Sequence, residues 1–268
     1  MIRLAIFDID RTLVSPDEGV IAQETVAALK QLQNKGIQIA LASGRIYTFL
    51  QKELLELGFD YYIMSNGGYV ADKNGNVLAQ EALEDRVVNG LVKKMNDLDL
   101  PIDVRYCMGK RTGNPNQSVL EWMQPYWSDQ AYEGEIPRAF LEEYEPKDGE
   151  SPISFGGFIP LDLQAEFVAQ FPELTFLPVF ESPMCDINPT GVSKATGLRR
   201  ICELTGLDVS EIIAFGDDRN DLELIEAAGI GVAVANSIQA LKDAADYVTD
   251  TCENLGVVKA LKHFGLIE

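Results

Sequence analysis

Short apolar runs alternate with amphipathic helical patterns in the first and the last third of the chain. The predicted strands are residues 2–7, 37–41, 61–64, 211–215 and 230–234. The predicted helices are residues 22–35, 46–58 and 193–204, with a short helix that begins near Leu222. Apolar runs of this length predict buried strands, and apolar residues three or four positions apart predict helices. Their alternation predicts a parallel sheet with helices on both faces.

The middle of the chain has a different pattern and predicts a separate domain. It begins with a helical pattern, continues through a stretch rich in proline, glycine, tryptophan and tyrosine, and ends in short strand-like runs around one more helix. We therefore predict an α/β protein, with a Rossmann-like parallel-sheet core at 1–82 and 187–268. An α+β domain is inserted at 83–186.

The composition excludes several classes of partner. With 268 residues and 46% hydrophobic residues, the chain is long and apolar enough to bury a large core. Its formal net charge of -20 argues against binding to nucleic acid or to an anionic membrane surface. No apolar run has the length of a membrane span, and no signal-peptide pattern is present. The irregularly spaced cysteines favour free thiols, so we expect a cytoplasmic location. We separately expect a monomer or a homodimer.

Polar residues directly follow the predicted strands. An open parallel sheet carries its functional groups at this position, at the carboxyl ends of its strands. These residues are Asp8, Asp10, Thr12, Ser43, Gly44, Arg45, Asp217, Asn220 and Asp221, and Lys194 opens the helix before the strand at 211–215. Because His263 is the only histidine, acid–base chemistry at this edge falls to carboxylates or lysine. Taken singly, such residues are more often acidic turns, helix caps and solvated lysines. Their order along the chain favours a shared site.

The charges at this edge are complementary to a metal ion and a phosphate group. Four converging aspartates repel one another unless a cation lies between them, and Mg²⁺ suits carboxylate ligands. Ser43 and Gly44 at a predicted helix start offer hydrogen-bond donors to an anion, and Lys194 adds a positive charge. The sequence therefore predicts a site for a phosphate ester with magnesium.

Four segments resemble, in order, the motifs of the haloacid dehalogenase-like superfamily of phosphohydrolases. They are "DIDRT" at 8–12, "LASGR" at 41–45, "GVSK" at 191–194 and "GDDRND" at 216–221. The Cof-type branch is the most similar, because its large α+β cap is inserted between the second and third motifs. "SNGG" at 65–68, which includes Asn66, also resembles that branch.

The resemblance implies a role for each matching residue. Asp8 would attack phosphorus and form an aspartyl-phosphate, and Asp10 would be the general acid and base. Magnesium would bind the carboxylates of Asp8 and Asp217 and the backbone carbonyl of Asp10. The phosphate-binding residues would be Ser43, Gly44, Lys194 and Asn220, with Thr12 and Asp221 in support. The candidates for contact with the rest of the substrate are Arg11, Arg45 and Asn66.

Arg11 departs from the family pattern, which usually has glycine at this position. The arginine either points outward without effect or reaches over the site to contact or obstruct the substrate. The resemblance implies a magnesium-dependent phosphatase acting on a small phosphorylated metabolite. The alternatives are a phosphomutase, a catalytically impaired sensor of a phosphorylated ligand, and a phosphoacceptor switch. Candidate pocket residues of the inserted domain are Arg105, Lys110, Arg111 and Asn114 to Asn116.

Overall fold

The chain divides into two compact units, which are described separately. The computed structural model describes residues 1–16, 19–109, 111–113, 151–178 and 183–268. The core unit comprises Met1–Gly44, Leu50–Ala79 and Ser193–Glu268. The inserted unit comprises Arg45–Phe49 and Gln80–Val192.

Strands and helices alternate along both units. The strands in the described ranges are β1 (Leu4–Phe7), β2 (Gln38–Ala42), β3 (Tyr61–Met64), β4 (Tyr69–Asp72), β5 (Val77–Gln80), β6 (Ile102–Arg105), β7 (Arg111–Gly113), β8 (Ser154–Phe158), β9 (Leu174–Pro178), β10 (Met184–Pro189), β11 (Ile212–Gly216), β12 (Ile230–Ala233) and β13 (Tyr247–Val248). The helices there are α1 (Gln23–Asn34), α2 (Lys52–Glu56), α3 (Asp85–Asp97), α4 (Gln164–Gln170), α5 (Lys194–Thr205), α6 (Leu222–Ala227), α7 (Gln239–Ala244) and α8 (Gly256–His263).

The two sheets have the topologies expected of an α/β core and an α+β insertion. The first sheet has the strand order β13-β12-β11-β1-β2-β3-β4-β5 and is parallel from β13 to β3, while β4 runs antiparallel to β3. The second sheet has the order β7-β6-β8-β10-β9, and its neighbouring strands are antiparallel. The predicted fold class is confirmed. Each helix in the described ranges is too short or too polar to cross a lipid bilayer.

The central strand β1 owes its apolar sequence to burial on both faces. Leu4 and Ile6 are completely buried and belong to the same core cluster as Leu198 and Ile201 of α5. On β1 and β11 the rings of Phe7 and Phe215 stack 4.9 Å apart. Because β1 lies between β11 and β2 in parallel register, the residues that follow these three strands emerge side by side.

The predicted helix at 46–58 is confirmed only in its second half, where α2 forms. Its apolar spacing is helical, but the structure has one 3₁₀ turn at Tyr47–Phe49, an extended Gln51 (ψ 146°) and then the short helix α2. The Gln51 amide donates to the carbonyl of Gly19 at 2.7 Å, and this tertiary contact fixes the extended residue where the helix would continue. The segment also passes from the inserted unit to the core unit between Phe49 and Leu50.

A buried ion-pair group lies in the inserted unit. Arg105 donates from Nε to Asp103 at 2.9 Å and from Nη1 to Asp186 at 2.7 Å. Gly156 makes room for it, since a Cβ there would lie 2.3 Å from Nη2 of Arg105. Arg105 is thus held by a structural ion pair. Of the other candidate pocket residues, Lys110, Asn114 to Asn116 and the side chain of Arg111 lie outside the described residues.

We expect Arg105→Met to destabilise the inserted unit strongly. The substitution keeps the length of the side chain but leaves the fully buried Asp103 without its cation, which costs about 3–5 kcal/mol. Urea unfolding followed by circular dichroism measures the loss. Arg86→Met is the matched control, because Arg86 also contacts two carboxylates, Glu84 and Glu173, but at the surface. Equal destabilisation by both substitutions would contradict this assignment.

Candidate active site

Three neighbouring strand ends bring polar side chains together in the core unit. Asp8 follows β1, Ser43 follows β2 and Asp217 follows β11, and all three are buried. The backbone N–H of Asp8 donates to Phe215 at 3.0 Å, and that of Ser43 donates to Ile63 at 2.8 Å. The sheet hydrogen bonding therefore continues into the first residue of each loop and fixes its position.

Three carboxylates form a compact buried cluster at this edge. Oxygens of Asp8, Asp217 and Asp221 all lie within 4.8 Å of one another. Asp221 turns back onto its own loop and accepts from the backbone N–H groups of Asp217 at 3.0 Å and Asp218 at 3.2 Å. This turn requires a glycine at 216, because a Cβ there would lie 2.5 Å from the Asp221 side chain.

Lys194 links two of these carboxylates. Its ammonium donates to Oδ1 of Asp8 and to Oδ1 of Asp221, both at 2.6 Å, and the residue has no solvent exposure. Burial acts to lower the pKa of Lys194, but the carboxylates of Asp221 and Asp8 outweigh it and raise the pKa above its ordinary value. Lys194 is therefore a permanent positive charge inside the cluster.

One lysine does not balance three carboxylates. Burial raises the pKa of Asp8 to about 7, and the negative charges of Asp221 and Asp10 add to the effect that Lys194 opposes. Burial raises the pKa of Asp217 to about 9, with further contributions from Asp8 and Asp221. Within the described residues, Oδ2 of Asp217 is buried and makes no hydrogen bond. These groups fit a hard divalent cation such as Mg²⁺, which would compensate the charge and satisfy that oxygen.

Asp10 lies in a turn. If the strand continued past Phe7, Asp10 would lie directly beside Asp8. The strand ends at Phe7, and the chain turns through hydrogen bonds from Leu13 to Ile9 and from Arg11 to Val14. Asp10 is half-buried, and its charge is close enough to raise the pKa of Asp8. The third carboxylate of the compact cluster is Asp221, which the sequence predicted only in a supporting role. Binding of metal by the backbone carbonyl of Asp10 stays a prediction.

The predicted phosphate-binding residues are brought together with Asn66. Asn220 donates from Nδ2 to Oδ1 of Asn66 at 2.9 Å, and the N–H of Asn66 donates to Ser43 at 2.9 Å. Asn66 is buried with a positive φ of 53°, and Gly44 is half-buried next to Ser43. Arg45, in contrast, belongs to the inserted unit, where its Nη1 donates to the Phe49 carbonyl at 3.1 Å.

Arg11 does not point outward, and its contact with the substrate stays a prediction. Its guanidinium turns back into the core unit, with Nε 3.4 Å from Oδ2 of Asp217 and Nη2 donating to the carbonyl of Asn236 at 2.9 Å. The backbone of Arg11 has a φ of 64°, in the left-handed region that favours glycine. Thr12, beside it, donates weakly to Oδ1 of Asp217 at 3.5 Å.

Asn236 is a residue of this edge that the sequence analysis missed. Its Nδ2 donates to the carbonyl of Arg11 at 2.9 Å, and its Oδ1 accepts from the N–H of Cys252 at 3.0 Å. Asn236 comes three residues after β12, so the rule that pointed to the other strand ends could also have identified it.

Comparisons with known proteins identify relatives along most of the chain. A family model for haloacid dehalogenase-like hydrolases matches residues 5–261. The protein YkrA of Bacillus subtilis (strain 168) is 30% identical over 267 residues, which cover 99% of each chain. The 5-amino-6-(5-phospho-D-ribitylamino)uracil phosphatase YcsE of the same organism is 27% identical over 273 residues, covering 99% of this chain and 96% of YcsE.

A solved structure extends the similarity to three dimensions. The subclass IIB sugar phosphatase BT4131 has a TM-score of 0.84 and 27% identity, and the match covers 99% of this chain and 100% of that one. The family match and this structural likeness both span the core unit and the inserted unit. The chain therefore belongs to the haloacid dehalogenase-like hydrolases, and within them to the Cof-type phosphatases.

Proposed function

We propose that the protein is a magnesium-dependent phosphatase that hydrolyses a small phosphorylated metabolite through an aspartyl-phosphate on Asp8. The main support is the contact of the buried Lys194 ammonium with both Asp8 and Asp221, with Asp217 completing the carboxylate cluster. This arrangement holds the Asp8 carboxylate at the end of β1, next to a positive charge that would attract a phosphate ester. It uses no histidine, which fits a chain with only one.

The reaction divides into two displacements at phosphorus. In the first, a carboxylate oxygen of Asp8 bonds to phosphorus while the ester P–O bond breaks, and Asp10 donates a proton to the leaving oxygen. In the second, water attacks phosphorus, the bond to Asp8 breaks, and Asp10 takes a proton from the water. The products are an alcohol and inorganic phosphate, and both aspartates return to their starting states.

The remaining residues bind and position the reactants. The carboxylates of Asp8 and Asp217 and the backbone carbonyl of Asp10 would hold Mg²⁺, which screens the repulsion between an anionic nucleophile and an anionic substrate. Asp221 orients Lys194 and the loop at 216–218. The phosphoryl oxygens would contact Ser43, Gly44, Lys194 and Asn220, and Asn66 orients the amide of Asn220.

The names of two relatives and the presence of the inserted unit support a proposal for the substrate class. YcsE and BT4131 are named for a phosphorylated pyrimidine derivative and for sugar phosphates, so we propose a sugar phosphate or a phosphorylated cofactor. Residues 83–186 would act as the cap that selects the leaving group. Four free cysteines support a cytoplasmic location.

Phosphate release from a panel of sugar phosphates, phosphorylated cofactors and nucleotides tests the proposal, with p-nitrophenyl phosphate as a generic ester. We expect release in the presence of Mg²⁺, with one chemical class preferred at least tenfold in kcat/KM. Transfer of phosphate between positions of a sugar without net release would indicate a phosphomutase. Binding of a panel member without turnover would indicate a sensor.

Lys194→Met should destabilise the metal-free protein. The substitution leaves the buried carboxylates of Asp8 and Asp221 without their ammonium, and loss of one partner from a buried ion pair costs about 3–5 kcal/mol. Added Mg²⁺ should restore part of the loss, since it supplies positive charge to the same cluster. Urea unfolding with and without Mg²⁺ measures both effects. The control is Lys259→Met, because the pair of Lys259 with Asp250 lies at the surface. A similar loss of unfolding free energy in the two variants would refute the prediction.

A further inference from the structure

The guanidinium of Arg11 is a second fixed cation at the carboxylate cluster. Lys194 contacts Asp8 and Asp221 but does not contact Asp217 within ion-pair distance. The nearest cation to Oδ2 of Asp217 that the described contacts include is Nε of Arg11, at 3.4 Å. The two cations therefore divide the three carboxylates between them.

A reciprocal pair of hydrogen bonds holds Arg11 in this position. The Arg11 side chain donates to the Asn236 carbonyl, and the Asn236 side chain donates to the Arg11 carbonyl, each at 2.9 Å. Asn236 is itself anchored through the N–H of Cys252, and the N–H of Arg11 donates to Val14 at 2.8 Å. The guanidinium is thus positioned by the backbone around it as well as by the attraction of Asp217.

The contact with Asp217 is electrostatic and leaves the oxygen available to a ligand. Oδ2 of Asp217 is buried and accepts no hydrogen bond within the described part of the chain, although Nε of Arg11 lies nearby. An ion bound to this oxygen would lie a few ångströms from a positive charge. Like charges at that distance repel, and solvent screens this repulsion only in part, because Asp217 is 4% exposed and Arg11 is 33% exposed.

We infer that Arg11 is a positioning residue that acts as a resident counter-ion of Asp217 and thereby weakens the binding of Mg²⁺ to the carboxylate cluster. In the metal-free protein the guanidinium lies 3.4 Å from the Asp217 carboxyl group, and Mg²⁺ must bind against that positive charge. The inference rests on the magnesium site of the proposed function. It assigns to Arg11 a role in setting the affinity for Mg²⁺, which is distinct from contact with the substrate.

The test is calorimetric titration of MgCl₂ into EDTA-treated, dialysed protein at pH 8.5, where protons compete less for the carboxylates than they do at neutral pH. Arg11→Met removes the charge and keeps the length, and we expect it to bind Mg²⁺ about tenfold more tightly than the wild type. Arg11→Gly should tighten binding similarly, and its fold is secure because glycine accepts a φ of 64°. Arg11→Lys, which keeps the charge, should remain within about threefold of the wild type.

The matched control is Arg219→Met, which makes the same change in net charge at an exposed position two residues from Asp217. It should change the Mg²⁺ affinity by less than about twofold, because solvent screens its charge. Unchanged or weaker binding by both Arg11→Met and Arg11→Gly would overturn the inference, as would equal tightening by the control. Failure of the wild type to bind Mg²⁺ would instead overturn the proposed metal site itself.

Discussion

Asp8→Asn should abolish turnover while leaving the protein folded. An amide is a poor nucleophile and a weaker metal ligand, and loss of a nucleophile costs on the order of 10⁴-fold to 10⁶-fold in kcat. The fold should tolerate the change because burial already raises the pKa of Asp8, so a neutral side chain is not penalised there. Lys194 would keep its contact with Asp221. Phosphate release from p-nitrophenyl phosphate measures the activity, and circular dichroism measures the fold.

The control for this substitution is Asp60→Asn. Asp60 directly precedes β3, at the amino-terminal edge of the parallel sheet, and its carboxylate accepts from the N–H of Ile39 at 3.1 Å. An asparagine oxygen can accept the same bond, so activity should stay near that of the wild type. Asp8→Asn protein with activity within tenfold of the wild type would refute the assignment of Asp8 as nucleophile.

Removal of divalent metal should also abolish turnover, and Mg²⁺ should restore it. Without a cation, burial raises the pKa of Asp8 to about 7 and that of Asp217 to about 9, so part of the cluster is protonated at neutral pH. A protonated Asp8 cannot attack phosphorus. A bound cation favours the ionised forms of Asp8 and Asp217 and lowers both pKa values. It would therefore keep Asp8 in the form that can attack phosphorus, and it would compensate the negative charge of the cluster.

The expected loss after treatment with EDTA is at least about 10³-fold in kcat, the scale on which metal ions contribute to phosphoryl transfer. Protons and Mg²⁺ compete for the same oxygens, so raised carboxylate pKa values make metal binding stronger as pH increases. The Mg²⁺ concentration for half-maximal activity should therefore fall between about pH 6 and about pH 8. Full activity in protein shown to be free of metal by elemental analysis would exclude this model. A half-maximal concentration independent of pH would exclude the competition.

Residues fixed by local pattern were predictable, whereas residues fixed by distant contacts were not. The strands that place Asp8, Ser43 and Asp217 have strong apolar patterns because they are buried, and parallel topology then gathers their ends. The helix predicted at 46–58 is interrupted at Gln51, because the apolar periodicity carries no information about the contact between Gln51 and Gly19. The direction of the Arg11 side chain was not predictable either, because it depends on a hydrogen bond to Asn236, which is 225 residues away in the sequence.

The positions of Asp8, Asp10 and Asp221 are a second case in which the sequence pattern did not predict the direction of side chains. Residues two positions apart, such as Asp8 and Asp10, would lie on one face of a continuing strand, but the strand ends at Phe7 and a turn begins. Asp221 joins the cluster because the turn at 216–221 folds its side chain back toward Gly216. A sequence can show that such a turn exists, but the direction of its carboxylate depends on the packing of α5 and Lys194.

The position of β1 between β2 and β11 has a consequence for synthesis on the ribosome. One neighbour of β1, Gln38–Ala42, is made early, but the other, Ile212–Gly216, emerges about two hundred residues after β1 itself. In the interval the nascent chain exposes an unpaired apolar edge, while the strands of the inserted unit can already pair with one another. At about 5–20 residues per second this interval lasts on the order of ten to forty seconds. Chaperone binding to the nascent protein should therefore be concentrated on Leu4–Phe7, and chains that stop before Ile212 should aggregate.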